Sequence, residues 1–185
     1  MPSLLFAAIT CSVTGSGSTE QVTGVKVQAS GFYAPSVWDV TDSYGGADGV
    51  VAAYAGSRRV HLAARVGGRH LWGDAPWFEA AHVGGLNNRG FRSHRFIGNS
   101  SLYGTASLRL WLGRLPIPLL PTRFGVVGFV DTGRVWLVNE SSDTWHTSYG
   151  GGILLQPVLA PVTVHVIAAD SKEGTRFYFG LGLPF

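Results

Sequence analysis

From Phe177 to the last residue the chain alternates without a break. Phe177, Phe179, Leu181, Leu183 and Phe185 occupy every second position, with Tyr178, two glycines and Pro184 between them. Successive side chains of a strand point to opposite faces, so this segment has one wholly apolar face and one small or polar face. A soluble protein would have to bury that face, and ending on a bare phenylalanine in the middle of it would be unusual. In a transmembrane β-barrel the apolar face meets lipid, and the terminal aromatic lies in the girdle at the membrane–water boundary. The alternative is the C-terminal core strand of a soluble β-sandwich.

Composition favours the membrane reading. Of 185 residues, 26 are glycine, 12% are aromatic and only 14% are charged, which fits an all-β chain in contact with more than water. No apolar run approaches the roughly 18 residues of a membrane-spanning helix. Any crossing must therefore be made by strands in a closed sheet, because lipid offers no partners for backbone N–H and C=O groups. Cys11 is the single cysteine, which excludes an intramolecular disulfide and a multi-cysteine metal site. The net charge of +3 is carried by arginines, Lys26 and Lys172 being the only lysines. Seven arginines fall between Arg58 and Arg95, a bias that suits fork-shaped pairing inside a structure. They alternate with apolar residues and form no basic helix or RNP-like motif, so nucleic acid is not an expected partner.

Strands and turns can be followed along the chain. Residues 1–13 lack the basic start of a signal peptide, and their alternation predicts a strand over 3–13. Val25, Val27 and Ala29 oppose Lys26, Gln28 and Ser30 in a strand near 22–34. Further strands are expected near 47–56 and 59–72, the latter with Val60, Leu62, Ala64 and Val66 against His61, Arg65 and Arg69. A long segment over about 73–99 leads to a strand near 100–113. There Leu102, Ala106, Leu108, Leu110 and Leu112 oppose Ser101, Tyr103, Thr105, Ser107 and Arg109. Strands near 122–138, 146–157 and 161–170 precede the terminal one. Pro116, Pro118 and Pro121 exclude ladder pairing in the connection they occupy. With the C-terminus placed in the periplasm, the longest connection falls on the outer side and the tightest, at Gly56-Ser57, on the inner side, the usual pattern of outer-membrane barrels.

Two internal motifs accompany the terminal strand. The long segment contains Gly84-Gly85-Leu86-Asn87-Asn88-Arg89-Gly90-Phe91-Arg92, and a later strand contains Phe129-Val130-Asp131-Thr132-Gly133. An Arg-Gly-aromatic loop, a Phe-x-Asp-x-Gly strand and an aromatic C-terminal strand in this order resemble the bacterial surface antigen family, the superfamily of BamA, TamA and the two-partner-secretion transporters. Trp38-Asp39-Val40 and Tyr103-Gly104 further resemble members whose barrels follow patatin-like or metallophosphoesterase domains. Asn88 stands where the family usually has Val or Ile. The resemblance covers roughly residues 22–185. It implies an all-β, antiparallel transmembrane β-barrel in the bacterial outer membrane, with residues 1–185 forming the C-terminal half (eight or nine strands) of a sixteen-stranded barrel. On that count the chain would be part of a longer one, because bacterial single-chain barrels usually have an even number of strands. It also implies that the 73–99 loop folds back into the lumen.

A loop tucked into a barrel needs an anchor. Arg89 offers a rigid fork of donors that a carboxylate accepts two at a time, and Asp131, inward between Phe129 and Gly133, is the expected partner. Gly90 would let the backbone pass close to the wall and Phe91 would pack against it. Removing one member of a buried pair leaves the other charge unpaired, at roughly 3–5 kcal/mol. Phe177, Phe179, Leu181, Leu183 and Phe185 resemble the C-terminal sorting signal of such barrels.

Other candidates carry less. The histidines are scattered without metal-ligand spacing, so no metal and no cofactor are expected. Asp74 and Glu79 read as solvated loop charges in preference to a general acid and base. There is no Gly-x-Ser-x-Gly elbow, and the chain is not expected to be an enzyme. The expected function is outer-membrane protein assembly or polypeptide secretion. The expected partners are outer-membrane lipid, the barrel assembly machinery, client polypeptides or a second copy of the chain. Two alternatives stand beside it: the membrane anchor of a patatin-like or metallophosphoesterase enzyme whose catalytic domain lies elsewhere, and a soluble β-sandwich binding domain.

Overall fold

The computed structural model describes residues 5–16, 21–36, 42–118, 120–137, 143–158 and 162–182, with side chains from residue 23 onward. Eleven strands occur in chain order: β1 (Leu5–Ser16), β2 (Gln21–Ala34), β3 (Tyr44–Ser57), β4 (Val60–Gly73), β5 (Ala81–Val83), β6 (Phe96–Gly98), β7 (Ser100–Leu115), β8 (Thr122–Trp136), β9 (His146–Pro157), β10 (Val164–Ser171) and β11 (Gly174–Leu181). Nine of them form one sheet in the order β1-β2-β3-β4-β7-β8-β9-β10-β11, and every pairing is antiparallel. β5 and β6 pair with each other inside the long connection, together with a short 3-10 turn at Trp77–Glu79. Among the described residues β1 and β11 are the two ends of the sheet.

The expected strands are present, with most ends moved by one to three residues. β1 runs to Ser16 and pairs in unbroken register with β2, from Leu5 opposite Tyr33 to Ser16 opposite Val22. β3 starts at Tyr44 and not near 47. Glycines 45 and 46 give no face signal there, and both are needed small. A Cβ on Gly45 would come within 2.6 Å of the Trp72 indole, and one on Gly46 within 2.7 Å of the Phe32 ring. The 73–99 segment, which showed no regular element in sequence, contains the small β5–β6 ribbon. Residues 38–40 and 183–185 lie outside the described set, so Trp38-Asp39-Val40, Leu183 and Phe185 are not located.

Burial across the sheet is inverted relative to a soluble protein. In β7, Ser101, Thr105, Ser107 and Arg109 are buried, whereas Leu108 and Leu112 are exposed. β8 repeats the pattern, with Asp131 fully buried and Val126 and Val130 exposed. In β11, Phe177, Phe179 and Leu181 are 78%, 75% and 71% exposed. Leaving each such side chain in water forgoes about 1.5–3 kcal/mol, a cost repeated on nearly every strand and removed by lipid. A sandwich would set two sheets face to face over an apolar core; here the apolar face of the main sheet is the exposed one. That excludes the soluble sandwich.

The inward face has its own small apolar cluster, Val127, Phe129, Leu154, Ile167 and Ala169, with Trp111 and Tyr178 packed against it. Period-two alternation places these residues on the same side as Asp131. The β5–β6 ribbon and the residues that follow β5 lie over this face.

Candidate functional site: a loop clasped to the inward face

β8 presents Phe129, Asp131 and Gly133 inward at successive alternate positions. The Asp131 carboxylate receives three donors from one residue of the loop. Arg89 Nε donates to Oδ2 at 2.7 Å, Nη2 donates to Oδ1 at 2.8 Å, and the Arg89 backbone N–H donates to Oδ2 at 2.9 Å. Both side chains are essentially inaccessible, at 4% and 0% exposure. The guanidinium also lies over the Phe129 ring, 3.5 Å from its centroid. Two parallel N–H···O bonds, a third from the backbone and an aromatic face beneath fix the position and orientation of Arg89 together.

Gly90 is held from both sides. Its N–H donates to the Tyr178 hydroxyl oxygen at 3.0 Å, and its carbonyl accepts from Ser171 Oγ at 2.8 Å and from Arg176 Nε at 3.1 Å. Its φ of +97° is accessible chiefly to glycine. A Cβ there would sit 2.9 Å from the Ser148 Cβ and 3.2 Å from that of Ser171. Gly133 serves close approach too, since a Cβ would come within 2.6 Å of Val83 in β5.

Phe91 is buried within the loop. It meets Phe96 edge-on at 5.2 Å and His146 at 5.9 Å, while Phe96 and His146 stack at 3.4 Å. Its contact with the wall is thus made through the start of β9.

Sequence reasoning did not find Asn88, seen there only as a departure from an aliphatic pattern. It is fully buried, and both ends of its amide are used. Nδ2 donates to the His146 carbonyl at 2.6 Å, and Oδ1 accepts from Ser148 Oγ at 2.8 Å. Tyr178, Ser171 and Arg176 were also missed as loop contacts. Their inward register in β10 and β11 could have flagged them.

Further bonds tie the loop to β4. Arg65 Nη2 donates to the Leu86 carbonyl at 2.7 Å, and Arg69 pairs with Glu79 at 2.6 Å, so Glu79 is an ion-pair acceptor and not a solvated charge. At the far side Arg95 pairs with Glu173, in the turn between β10 and β11. Within the loop the His82 and His94 rings lie 4.1 Å apart. Burial first, and then the neighbouring His94 and Arg69, push the His82 imidazole below its ordinary value, against a raising contribution from the Ala80 backbone. Across about ten residues, then, the loop contacts β4, β8, β9, β10 and β11.

The family model described as the Omp85 superfamily domain matches residues 5–185. The chain belongs to the Omp85 superfamily. It is therefore a bacterial outer-membrane protein, and its all-β antiparallel sheet is an outer-membrane barrel domain of the surface antigen kind. No curated protein and no solved structure matches it. The exposed apolar faces described above are the lipid-facing side of this Omp85 domain.

Proposed function

We propose that this Omp85 chain admits or assembles polypeptides at the outer membrane, with the 73–99 loop as a plug and Arg89–Asp131 as its clasp. The observation that carries the reading is the three-donor, fully buried contact between one loop residue and one wall carboxylate. A pair of this kind contributes uncertain net stability but strongly fixes geometry, which is what a plug requires. Superfamily members are generally transporters or assembly factors and not enzymes, and the role proposed for this chain is one of passage and insertion, not chemistry. Phe177, Phe179, Leu181 and, beyond the described residues, Leu183 and Phe185 serve in this reading as the sorting signal recognised by the barrel assembly machinery.

The test is charge exchange in the chain reconstituted into planar bilayers. Arg89→Asp and Asp131→Arg, taken singly, each raise open-channel conductance and make the loop accessible to protease. The double exchange recovers part of both, and an added unfolded outer-membrane polypeptide blocks the current of the single variants. Single variants with wild-type conductance and wild-type protease resistance would sink the plug.

A further inference from the structure

Charge is divided unevenly over the main sheet. Its nine strands contain three carboxylates, Asp48, Asp131 and Asp170. Asp170 points outward, where it accepts from the Tyr149 hydroxyl at 3.3 Å and from Thr175 Oγ1 at 2.7 Å. Asp131 holds Arg89, and Asp48 accepts from Ser30 Oγ at 2.6 Å. In register, Lys26, Ala52, Arg65, Thr105 and Asp131 form one rung across β2, β3, β4, β7 and β8, and Asp48 lies on the plug side of it. Beyond that rung, toward the end of the sheet remote from the plug, no inward position on any strand is Asp or Glu.

The cations continue where the carboxylates stop. Lys26 and Arg65 stand on the rung itself. Arg109 lies four residues further along β7, about 13 Å, and Arg123 eight residues further along β8, about 27 Å, at roughly 3.4 Å per residue. Between Trp111 and Gly113 the β7–β8 register shifts, which sets Arg114 opposite Arg123. Hydrogen bonds to neutral groups leave such charges in place. Arg65 donates to the Leu86 carbonyl and Arg123 to the Arg58 carbonyl, and both remain cations.

Two cavities open on this inward face. One, of about 120 Å³, is lined by Lys26 and Arg65 together with Gln28 and Tyr54. The other, of about 240 Å³, is lined by His61, Arg109, Arg123, Trp111 and Gln156, with the Arg123 guanidinium 4.8 Å from the Trp111 ring centroid. Lys26 is exposed and Arg65 and Arg123 are half-buried, whereas Arg109 is buried and contributes through its field. Cations, amides and an indole thus follow one another along a wall about 27 Å long, which is the reach of about eight residues of extended chain. Guanidinium forks accept carboxylates, the two glutamines can bond backbone groups, and Trp111 offers an apolar surface for the intervening side chains.

We propose that the inward wall between the Asp131 rung and Arg123 selects acidic stretches of extended polypeptide. This names the substrate class of the passage proposed above, and it rests on that reading. Selection acts through a field summed over several side chains, and a Debye length of about 10 Å at 0.1 M salt is shorter than the roughly 13 Å between successive cations. The preference therefore belongs to low salt and fades as salt rises.

The test compares fluorescently labelled polyglutamate and polylysine of equal length, titrated with the detergent-solubilised chain and followed by anisotropy. The unaltered chain binds polyglutamate roughly tenfold or more tightly than polylysine in about 50 mM salt, and the difference shrinks at about 500 mM. Lys26→Gln with Arg123→Gln removes most of the preference, whereas Lys172→Gln, in the turn at the plug end, leaves it intact. Heat-modifiable migration of each variant establishes that the sheet has formed. A second readout uses Gly90→Ala, which crowds the clasp without altering charge, in planar bilayers under a potassium chloride gradient. Its current favours chloride over potassium by about threefold, and the added Lys26→Gln and Arg123→Gln bring the ratio toward one. Equal binding of the two polymers by the unaltered chain overturns the proposal, as does a preference unchanged in the double Gln variant or a cation-selective current. A Gly90→Ala current no larger than that of the unaltered chain would count against the plug alone, because polymer binding is read without it.

Discussion

The backbone N–H of Gly90 donates to the hydroxyl oxygen of Tyr178 at 3.0 Å, across 88 residues of sequence. The bond ties the most buried turn of the loop to the strand whose other face meets lipid. Phe177 and Phe179 flank Tyr178 and point outward, so one strand serves the membrane on one side and the plug on the other. Tyr178→Phe removes the acceptor while keeping the ring in its inward cluster. A buried N–H left without a partner costs about 1–3 kcal/mol. The expected result is faster proteolysis of residues 84–96 with unchanged heat-modifiability, read by timed digestion and mass mapping.

Gly90→Ala should act in the same direction by a different cause. The φ of +97° disfavours any side chain, and the new methyl would meet the Cβ atoms of Ser148 and Ser171 at 2.9 and 3.2 Å. Backbone strain of this kind costs about 1–3 kcal/mol, so the loop should release more often. Channel conductance should rise in Gly90→Ala, while Gly84→Ala, whose Cβ would meet Arg92 of the loop and not the wall, serves as the comparison for strain within the loop alone.

Asn88 gives a sharper contrast. An aliphatic residue is usual at this place in the superfamily, yet here the side-chain amide bridges the His146 carbonyl and the Ser148 hydroxyl. Asn88→Ile therefore moves the sequence toward the common pattern and should weaken the docking of this loop. Two bonds are lost in a fully buried place, at about 1–3 kcal/mol for each polar group left unpaired. Adding Ser148→Ala should recover part of the loss, since it removes one of the stranded groups. A thermal unfolding series on the single and double variants measures the coupling.

The parts of this architecture that were legible in sequence are those written in alternation or in charge. β4 and β7 carry two clean faces, and their inverted burial follows directly from which face is apolar. Arg89 and Asp131 stood out because each lies in a short motif, Arg89-Gly90-Phe91 and Phe129-Val130-Asp131-Thr132-Gly133, that resembles the family pattern. The remainder depended on tertiary contact. The start of β3 was hidden because Gly45 and Gly46 have no side chain to reveal a face, and their smallness serves Trp72 and Phe32 from neighbouring strands. Asn88 could be seen only as an exception, because its partners lie about sixty residues away and on another strand. The opposed Arg114 and Arg123 were hidden by the register shift after Trp111, which strand periodicity alone does not announce.

The loop should also respond to acid. His82 lies in β5 beside His94, and burial followed by the His94 charge holds its imidazole below the ordinary value of 6.5. Release of the loop into water would restore that ordinary value. Between the depressed value and 6.5 the released loop thus binds more protons than the docked one, so docking is fully favoured above 6.5 and weakens as pH falls through the window. Lowering the pH should raise conductance and reduce the hydrogen-exchange protection of residues 81–83 and 94–98, measured relative to the intrinsic exchange rate at each pH. His82→Asn removes the titrating group and should flatten this dependence while leaving the Arg89–Asp131 clasp in place. An acid response equally steep in His82→Asn would assign it to another group. If these residues of the unaltered chain were equally protected at pH 7.5 and pH 5, burial of His82 would have no bearing on how the loop is held.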